Sequence, residues 1–218
     1  MRYKILALGD CNTLGDIEFE NNSFVERFGN IVKLQTKNCG YTMSTTREML
    51  YFYDKYYHKN IDIILIQYGL VDSWKTFKYS PYILYYPNNP FRKIARKIVK
   101  KYKKIARYLG FNQMIGEKFV VSLQEYEKNI KNVISRSEDK KIFLIDTVPN
   151  RQIFRNKHIK QYNSILDKIS KRYKNCYKVD IYEEFEDNLE NYYLDDTHIN
   201  DKGYSVISQK IYEVYKNC

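Results

Sequence analysis

Long apolar runs are missing from this 218-residue chain. No uncharged stretch approaches the ~20 residues that a bilayer-spanning helix needs, so the sequence does not read as crossing a membrane. Cysteine is scarce as well. The four cysteines, at 11, 39, 176 and 218, form no CxxC pair and fall short of the density of a disulfide scaffold, so all four are read as reduced thiols. Closely spaced pairs of metal ligands are also absent, and neither a metal site nor a cofactor is expected. No internal repeat or low-complexity linker interrupts the chain. Met1-Arg2-Tyr3-Lys4 runs straight into Ile5-Leu6-Ala7-Leu8, leaving no room for a signal peptide, and a cytoplasmic protein is expected.

What is present describes a soluble α/β protein. Hydrophobic residues make up 44% and charged residues 29%, and the length allows one domain, 1–218, with a large core. Short β-rich apolar runs alternate with helical patterns, which predicts a three-layer α/β/α sandwich around a five-stranded parallel sheet. The strands are expected at Tyr3–Leu8, Ile31–Thr36, Ile61–Tyr68, Lys141–Val148 and Cys176–Ile181. The third and fourth, nearly continuous in apolar residues, should be central. Apolar spacings of three and four place helices at Ser44–Tyr57, Ser122–Ser137, Asn156–Tyr173 and Lys202–Lys216. Residues from about 75 to 119 are too many for a simple connection and read as an insertion with its own helix.

In an open parallel sheet, ligands bind beyond the carboxyl ends of the strands. Three segments there carry polar residues: Gly9-Asp10-Cys11-Asn12-Thr13, Gly69-Leu70-Val71-Asp72, and, before the last helix, Asp195-Asp196-Thr197-His198. A fourth follows the second predicted strand, Asn38-Cys39-Gly40-Tyr41-Thr42-Met43-Ser44-Thr45-Thr46. These ordered blocks resemble the SGNH/GDSL hydrolases, whose first block reads Gly-Asp-Ser and whose last reads Asp-x-x-His. The resemblance spans the chain and implies a flavodoxin-like sheet and chemistry on an ester or acyl group.

It also implies a triad in which Cys11 replaces the serine, His198 is the base and Asp195 holds the imidazole. A thiol needs less activation than a hydroxyl, because its thiolate is intrinsically nucleophilic. The family's oxyanion hole falls on Cys11, Met43 and Val71. Met43 keeps a backbone amide where the family has glycine, but Val71 replaces a donor asparagine, and losing one such donor costs about 100 to 1000-fold in rate. Asn12 and Gln67 are candidate substitutes. Asp10, Gly69 and Asp72 are expected beside the substrate, the two aspartates also tying the loops by hydrogen bonds, while Asp196 should face solvent. Relatives reading Gly-x-Val-Asp in the third block are associated with surface polysaccharide, which implies an acylated carbohydrate or glycolipid of bacterial envelope assembly, with hydrolysis or acyl transfer both open. The competing reading is a binding or scaffolding protein that kept the fold and lost catalysis.

The net charge of +11 has one main source. Arg92, Lys93, Arg96, Lys97, Lys100, Lys101, Lys103, Lys104 and Arg107 lie between Phe91 and Gly110, with no acidic residue among them. Apolar residues at 91, 94, 95, 98, 99, 102, 105, 106 and 109 predict an amphipathic basic helix. It reads either as a lid or docking helix for an anionic surface at the inner membrane face, or as a solvated face. Nucleic acid ranks below both, since no recognition motif accompanies the charge. The tyrosine-rich Tyr79–Pro87 segment is either a wall for stacking sugar faces or an anchor for the insertion.

Overall fold

Alternate side chains of the apolar strands go to opposite faces of one sheet, and each face meets its own layer of helices. The computed structural model describes residues 3–15 and 22–218, the side chains of residues 112 and 113 excepted. Its main sheet is wholly parallel, in the order β2-β1-β3-β6-β7, formed by β1 (Ile5–Gly9), β2 (Thr36–Gly40), β3 (Ile63–Gln67), β6 (Lys141–Ile145) and β7 (Cys176–Val179). Leu6, Leu8, Ile64, Ile66, Ile142 and Leu144 pack on α3 (Thr46–Tyr56), α6 (Leu123–Ser135) and α7 (Asn156–Arg172). Ile5, Ala7, Ile63, Leu65, Phe143 and Ile145 pack on α2 (Phe24–Val32) and α9 (Asp201–Lys216). Most of these strand side chains are wholly buried, and each contributes about 1.5–3 kcal/mol. The three-layer architecture is the one expected, with the third and fourth predicted strands inside the sheet.

The second strand is a correction. It was expected at Ile31–Thr36, but Ile31 and Val32 end α2 and the strand begins at Thr36. Ser23 caps α2, and Glu26 returns a bond to the Ser23 amide, so a helix is fixed before the apolar pair is reached. Lys33 then leaves it in a left-handed conformation, φ 57°. The true edge strand, Thr-Lys-Asn-Cys-Gly, is half-exposed and polar, which hides it from a search for buried strands. Short α1 (Cys11–Leu14) and α8 (Tyr182–Glu186) also carry too few residues to show a period.

The expected insertion leaves and rejoins the body as a two-stranded antiparallel ladder, β4 (Lys75–Phe77) against β5 (Glu117–Phe119). Between them run α4 (Pro90–Tyr108) and α5 (Phe111–Ile115). Asn89 caps α4, and Pro90 fits its first turn. The helix stands where the charge pattern places it, but its apolar stripe is not buried. Phe91, Ile94, Ile98, Tyr108 and Leu109 are more than half exposed, and of its residues only Ala106 is buried. No helix among the described residues is long and apolar enough to cross a membrane.

Glu48, buried on α3, fastens this excursion to the body. Its carboxylate accepts from the Tyr82 hydroxyl at 3.0 Å, the Tyr85 amide at 2.8 Å and the Thr45 amide at 3.1 Å. Glu48→Ala should therefore accelerate tryptic cleavage within residues 78–108 and lower stability by about 1–3 kcal/mol in urea denaturation. An unchanged cleavage rate would show that the segment is held by other contacts.

Candidate active site

The order in which the chain adds strands reverses between β1 and β3, because β2 lies to one side of β1 and the remaining strands to the other. The crevice at their carboxyl ends is where such a sheet binds ligands. Cys11 leaves β1 there. Asp10 caps the turn, its carboxylate accepting from the Asn12 amide at 3.0 Å, and Cys11 opens α1. Gly40, in register with Gly9, lies so close to α1 that an added Cβ would come within 2.1 Å of the Leu14 nitrogen. Asn38 secures the same turn, donating to the Thr13 carbonyl at 2.8 Å.

His198 arrives from the other end of the chain in a tight loop closed by the Tyr193–Ile199 bridge. Its Nδ1 lies 2.7 Å from Asp195 Oδ2, while Asp195 Oδ1 accepts the amides of Thr197 at 2.6 Å and His198 at 2.7 Å. Asp195 thus orients both the ring and the backbone that carries it. Partial burial works against ionisation of Asp195, but the bonds from the His198 ring and from the two amides outweigh it and hold the carboxyl below its usual range.

The two parts meet through Asn12. Its Nδ2 donates to the Thr197 carbonyl at 3.2 Å and its Oδ1 accepts the Ile199 amide at 3.3 Å, so one buried amide grips the chain on either side of His198. The side-chain oxygen of Asn12 and one of its two amide hydrogens, expected to face an oxyanion, are thus engaged with the His198 loop. Gln67 is occupied too, accepting from Thr13 Oγ1 at 3.0 Å and donating to the Asp146 carbonyl at 3.2 Å. Asn150 was not anticipated. It donates to Thr197 Oγ1 at 3.1 Å, and its neighbour Arg151 donates its amide to the Asp196 carbonyl. The sole sequence signal for this support is a position just past the β6 run.

Asp10, Gly69 and Asp72, expected beside the substrate, lie beneath the site instead. Asp10 and Asp72 are buried. Asp72 accepts the Thr46 amide at 3.0 Å and the Thr46 hydroxyl at 2.7 Å, tying the β3 loop to the start of α3. Gly69 has φ 141°, and a Cβ there would approach Thr147 Oγ1 to 2.4 Å, so its role is close packing. The loop-tying expected of the two aspartates is what the geometry displays. Asp196 is exposed as expected, although it accepts from Gln152 Nε2 at 2.9 Å.

Met43 and Val71 line a cleft of about 770 Å³ that extends under α4. Met43 holds φ 62°, a left-handed conformation that suits glycine better. Val71 is buried and presents no donor side chain. The preceding residue, Leu70, clusters with Cys11, Ile159 and Tyr182. Burial pushes the Cys11 thiol well above its usual range, and the charges of Asp10 and Asp195 push the same way. Cys11 is therefore held as a neutral thiol. All four cysteines are free thiols.

No family model matches the sequence, and no curated protein matches it. Solved structures do resemble the fold. An acetylxylan esterase from Geobacillus stearothermophilus superimposes with a TM-score of 0.65 at 18% identity, covering 97% of this chain and 93% of that one. A lipase/acylhydrolase from Enterococcus faecalis gives a TM-score of 0.66 at 18% identity over 100% of this chain and 96% of that one. A lipolytic protein of the G-D-S-L family from Veillonella parvula gives 0.65 at 14% identity, over 98% of each. At these identities the likeness is one of fold, and that fold is the one the four sequence blocks imply.

Buried carboxyls under the site set a pH dependence. Burial raises Asp10 and Asp72 to about 7 from an ordinary 3.8. Between those values the folded protein holds protons that the unfolded chain has released, so stability falls as pH rises through that window and levels off above it. Melting temperature should accordingly drop from about pH 5 to about pH 8. Asp72→Asn, which keeps the acceptor for Thr46, should flatten the drop; a slope identical to that of the parent protein would refute the assignment.

Proposed function

We propose that this protein, built on the fold of the GDSL ester hydrolases, is an ester hydrolase or acyltransferase in which Cys11 is the nucleophile, His198 the base and Asp195 the residue that orients it. The observation that carries this reading is the Asp195–His198 pair held by Asn12 against the turn bearing Cys11. Because Cys11 rests as a thiol, its proton passes to the free nitrogen of His198 as the sulfur attacks the acyl carbon. Asp195 stabilises the resulting imidazolium. Collapse of the tetrahedral intermediate breaks the ester C–O bond, His198 returns the proton to the departing alkoxide, and an acyl thioester remains on Cys11. Water or an acceptor hydroxyl then attacks the thioester, giving its proton to His198; the C–S bond breaks, the acyl group leaves as the free acid or the new ester, and His198 returns the proton to the Cys11 sulfur.

The backbone amides of Cys11 and Met43 are the oxyanion donors in this scheme, with none from Val71. Two donors support slower hydrolysis, and the side chain of Met43 narrows access to the carbonyl, which favours transfer to a bound acceptor. The substrate class that fits is an acylated carbohydrate or glycolipid of envelope polysaccharide assembly. Tyr82 and Tyr85 line the adjoining cleft, where a sugar face can stack on them. The competing reading, a binding protein without turnover, draws on the same Val71 and on the buried, neutral Cys11.

Incubation with p-nitrophenyl acetate distinguishes the two. A gain of one acetyl group on Cys11 by mass spectrometry, lost in Cys11→Ala and in His198→Ala, is the expected outcome. Val71→Asn should raise the rate by about 100-fold if it restores the missing donor. No acetyl on Cys11 in either the parent or Val71→Asn would establish the binding reading.

Peripheral attachment to the inner membrane face belongs to the same proposal. The outward stripe of Phe91, Ile94, Ile98, Ile105 and Leu109 is exposed, and Lys101 lies among these side chains, a pairing suited to an anionic lipid interface. The protein should float with phosphatidylglycerol-containing vesicles, and Ile94→Asp with Ile98→Asp should abolish flotation. Equal recovery with pure phosphatidylcholine would argue against charge-directed docking.

A further inference from the structure

With Phe91, Ile94 and Ile98 of α4 turned to solvent, the basic flank of the helix borders the cleft that Met43 and Val71 line. Lys93, Lys97, Lys100, Lys103, Lys104 and Arg107 line it from this flank. No acidic residue lines the cleft, and among the described residues none of these six takes part in an ion pair. Arg96, also in the lining, is differently employed. It donates to the carbonyls of Leu84 and Tyr85 and to Asn88, and lies over the Tyr85 ring, so it shapes the wall. Lys75 on the floor is paired with Glu117 at 3.4 Å.

Six uncompensated cations around one concavity repel one another and create a positive potential that a bound anion relieves. Half-buried Lys103 has its pKa lowered, first by burial and then by the charges of Lys118 and Arg107. The opposite wall is aromatic and apolar, with Trp74, Tyr82, Ile83 and Tyr85. The Trp74 indole N–H is buried and finds no acceptor among the described residues. A volume of about 770 Å³ suits a small ligand. The cleft also adjoins the reaction centre, because Val71 follows Leu70, which packs against Cys11.

We infer that this cleft binds a phosphate- or diphosphate-bearing saccharide, the anionic part of the molecule whose ester or acceptor hydroxyl is presented at Cys11. The inference rests on the catalytic reading for the identity of the reacting end, but the binding itself does not need turnover. Lysines hold phosphate as point charges without requiring a fixed fork geometry, so a row of them accommodates two or more negative charges. The aromatic wall takes the sugar face.

Calorimetric titration of the Cys11→Ala protein with inorganic pyrophosphate tests the site apart from chemistry. Saturable binding is expected, displaced by glucose 1-phosphate and weakened about tenfold or more in the Lys97→Glu, Lys100→Glu, Lys104→Glu triple variant. These side chains are exposed, and an unchanged melting temperature would confirm that the variant folds. Absent binding, or equal affinity in the triple variant, overturns the proposal. Displacement of pyrophosphate by phosphatidylglycerol vesicles but not by glucose 1-phosphate overturns it in favour of a lipid headgroup. Binding of a single-stranded oligonucleotide that pyrophosphate does not displace overturns it in favour of nucleic acid. Pyrophosphate binding without acetylation of Cys11 would sink the catalytic reading alone, whereas acetylation without pyrophosphate binding would sink the cleft assignment alone.

Discussion

One buried amide side chain joins the two ends of the chain at the site. Asn12 donates to the carbonyl before His198 and accepts the amide after it, across more than 180 residues of sequence. That clamp is the direct link between the Cys11 turn and the His198 loop, and further bonds hold the two segments around it. Asp10 holds the Asn12 amide from below, Asn150 holds Thr197 from the side, and the Tyr193 hydroxyl donates to the Pro149 carbonyl to seat the loop on the strand ends. The site is therefore assembled by directed hydrogen bonds on a platform that hydrophobic burial supplies.

The electrostatics beneath this clamp favour neutral groups. Asp10 and Asp72 are buried and raised to about 7, and burial above all keeps Cys11 protonated. Cysteine in such a place does not gain its usual advantage of a preformed thiolate. The lowered carboxyl of Asp195 provides the one firm negative charge beside the imidazole.

The insertion inverts the usual use of an amphipathic helix. A helix on a soluble body normally buries its apolar stripe, but here Arg96 and the short ladder of β4 and β5 hold α4 with its cations over the cleft and its isoleucines outward. One face of the helix is therefore apolar and exposed, and the other lines the cleft with positive charge.

The parallel sheet and most of its helices were legible in the sequence, because burial on both faces leaves continuous runs such as Ile63-Ile64-Leu65-Ile66 and because helix stripes repeat every three or four residues. The ordered blocks also marked Cys11, Asp195 and His198 as candidates, since ligands of such a sheet bind just past its strand ends. The polar edge strand was missed because half-exposed residues carry no period, and the capping of α2 was overlooked beside the apolar Ile31-Val32 pair. Which side of α4 faced inward, and whether Asn12 pointed at an oxyanion or at the His198 loop, were decided only in three dimensions. Sequence fixes which groups an element offers, but the partner each polar group takes depends on which distant segment packs across from it. In this protein, segments more than 180 residues apart made that choice at Asn12.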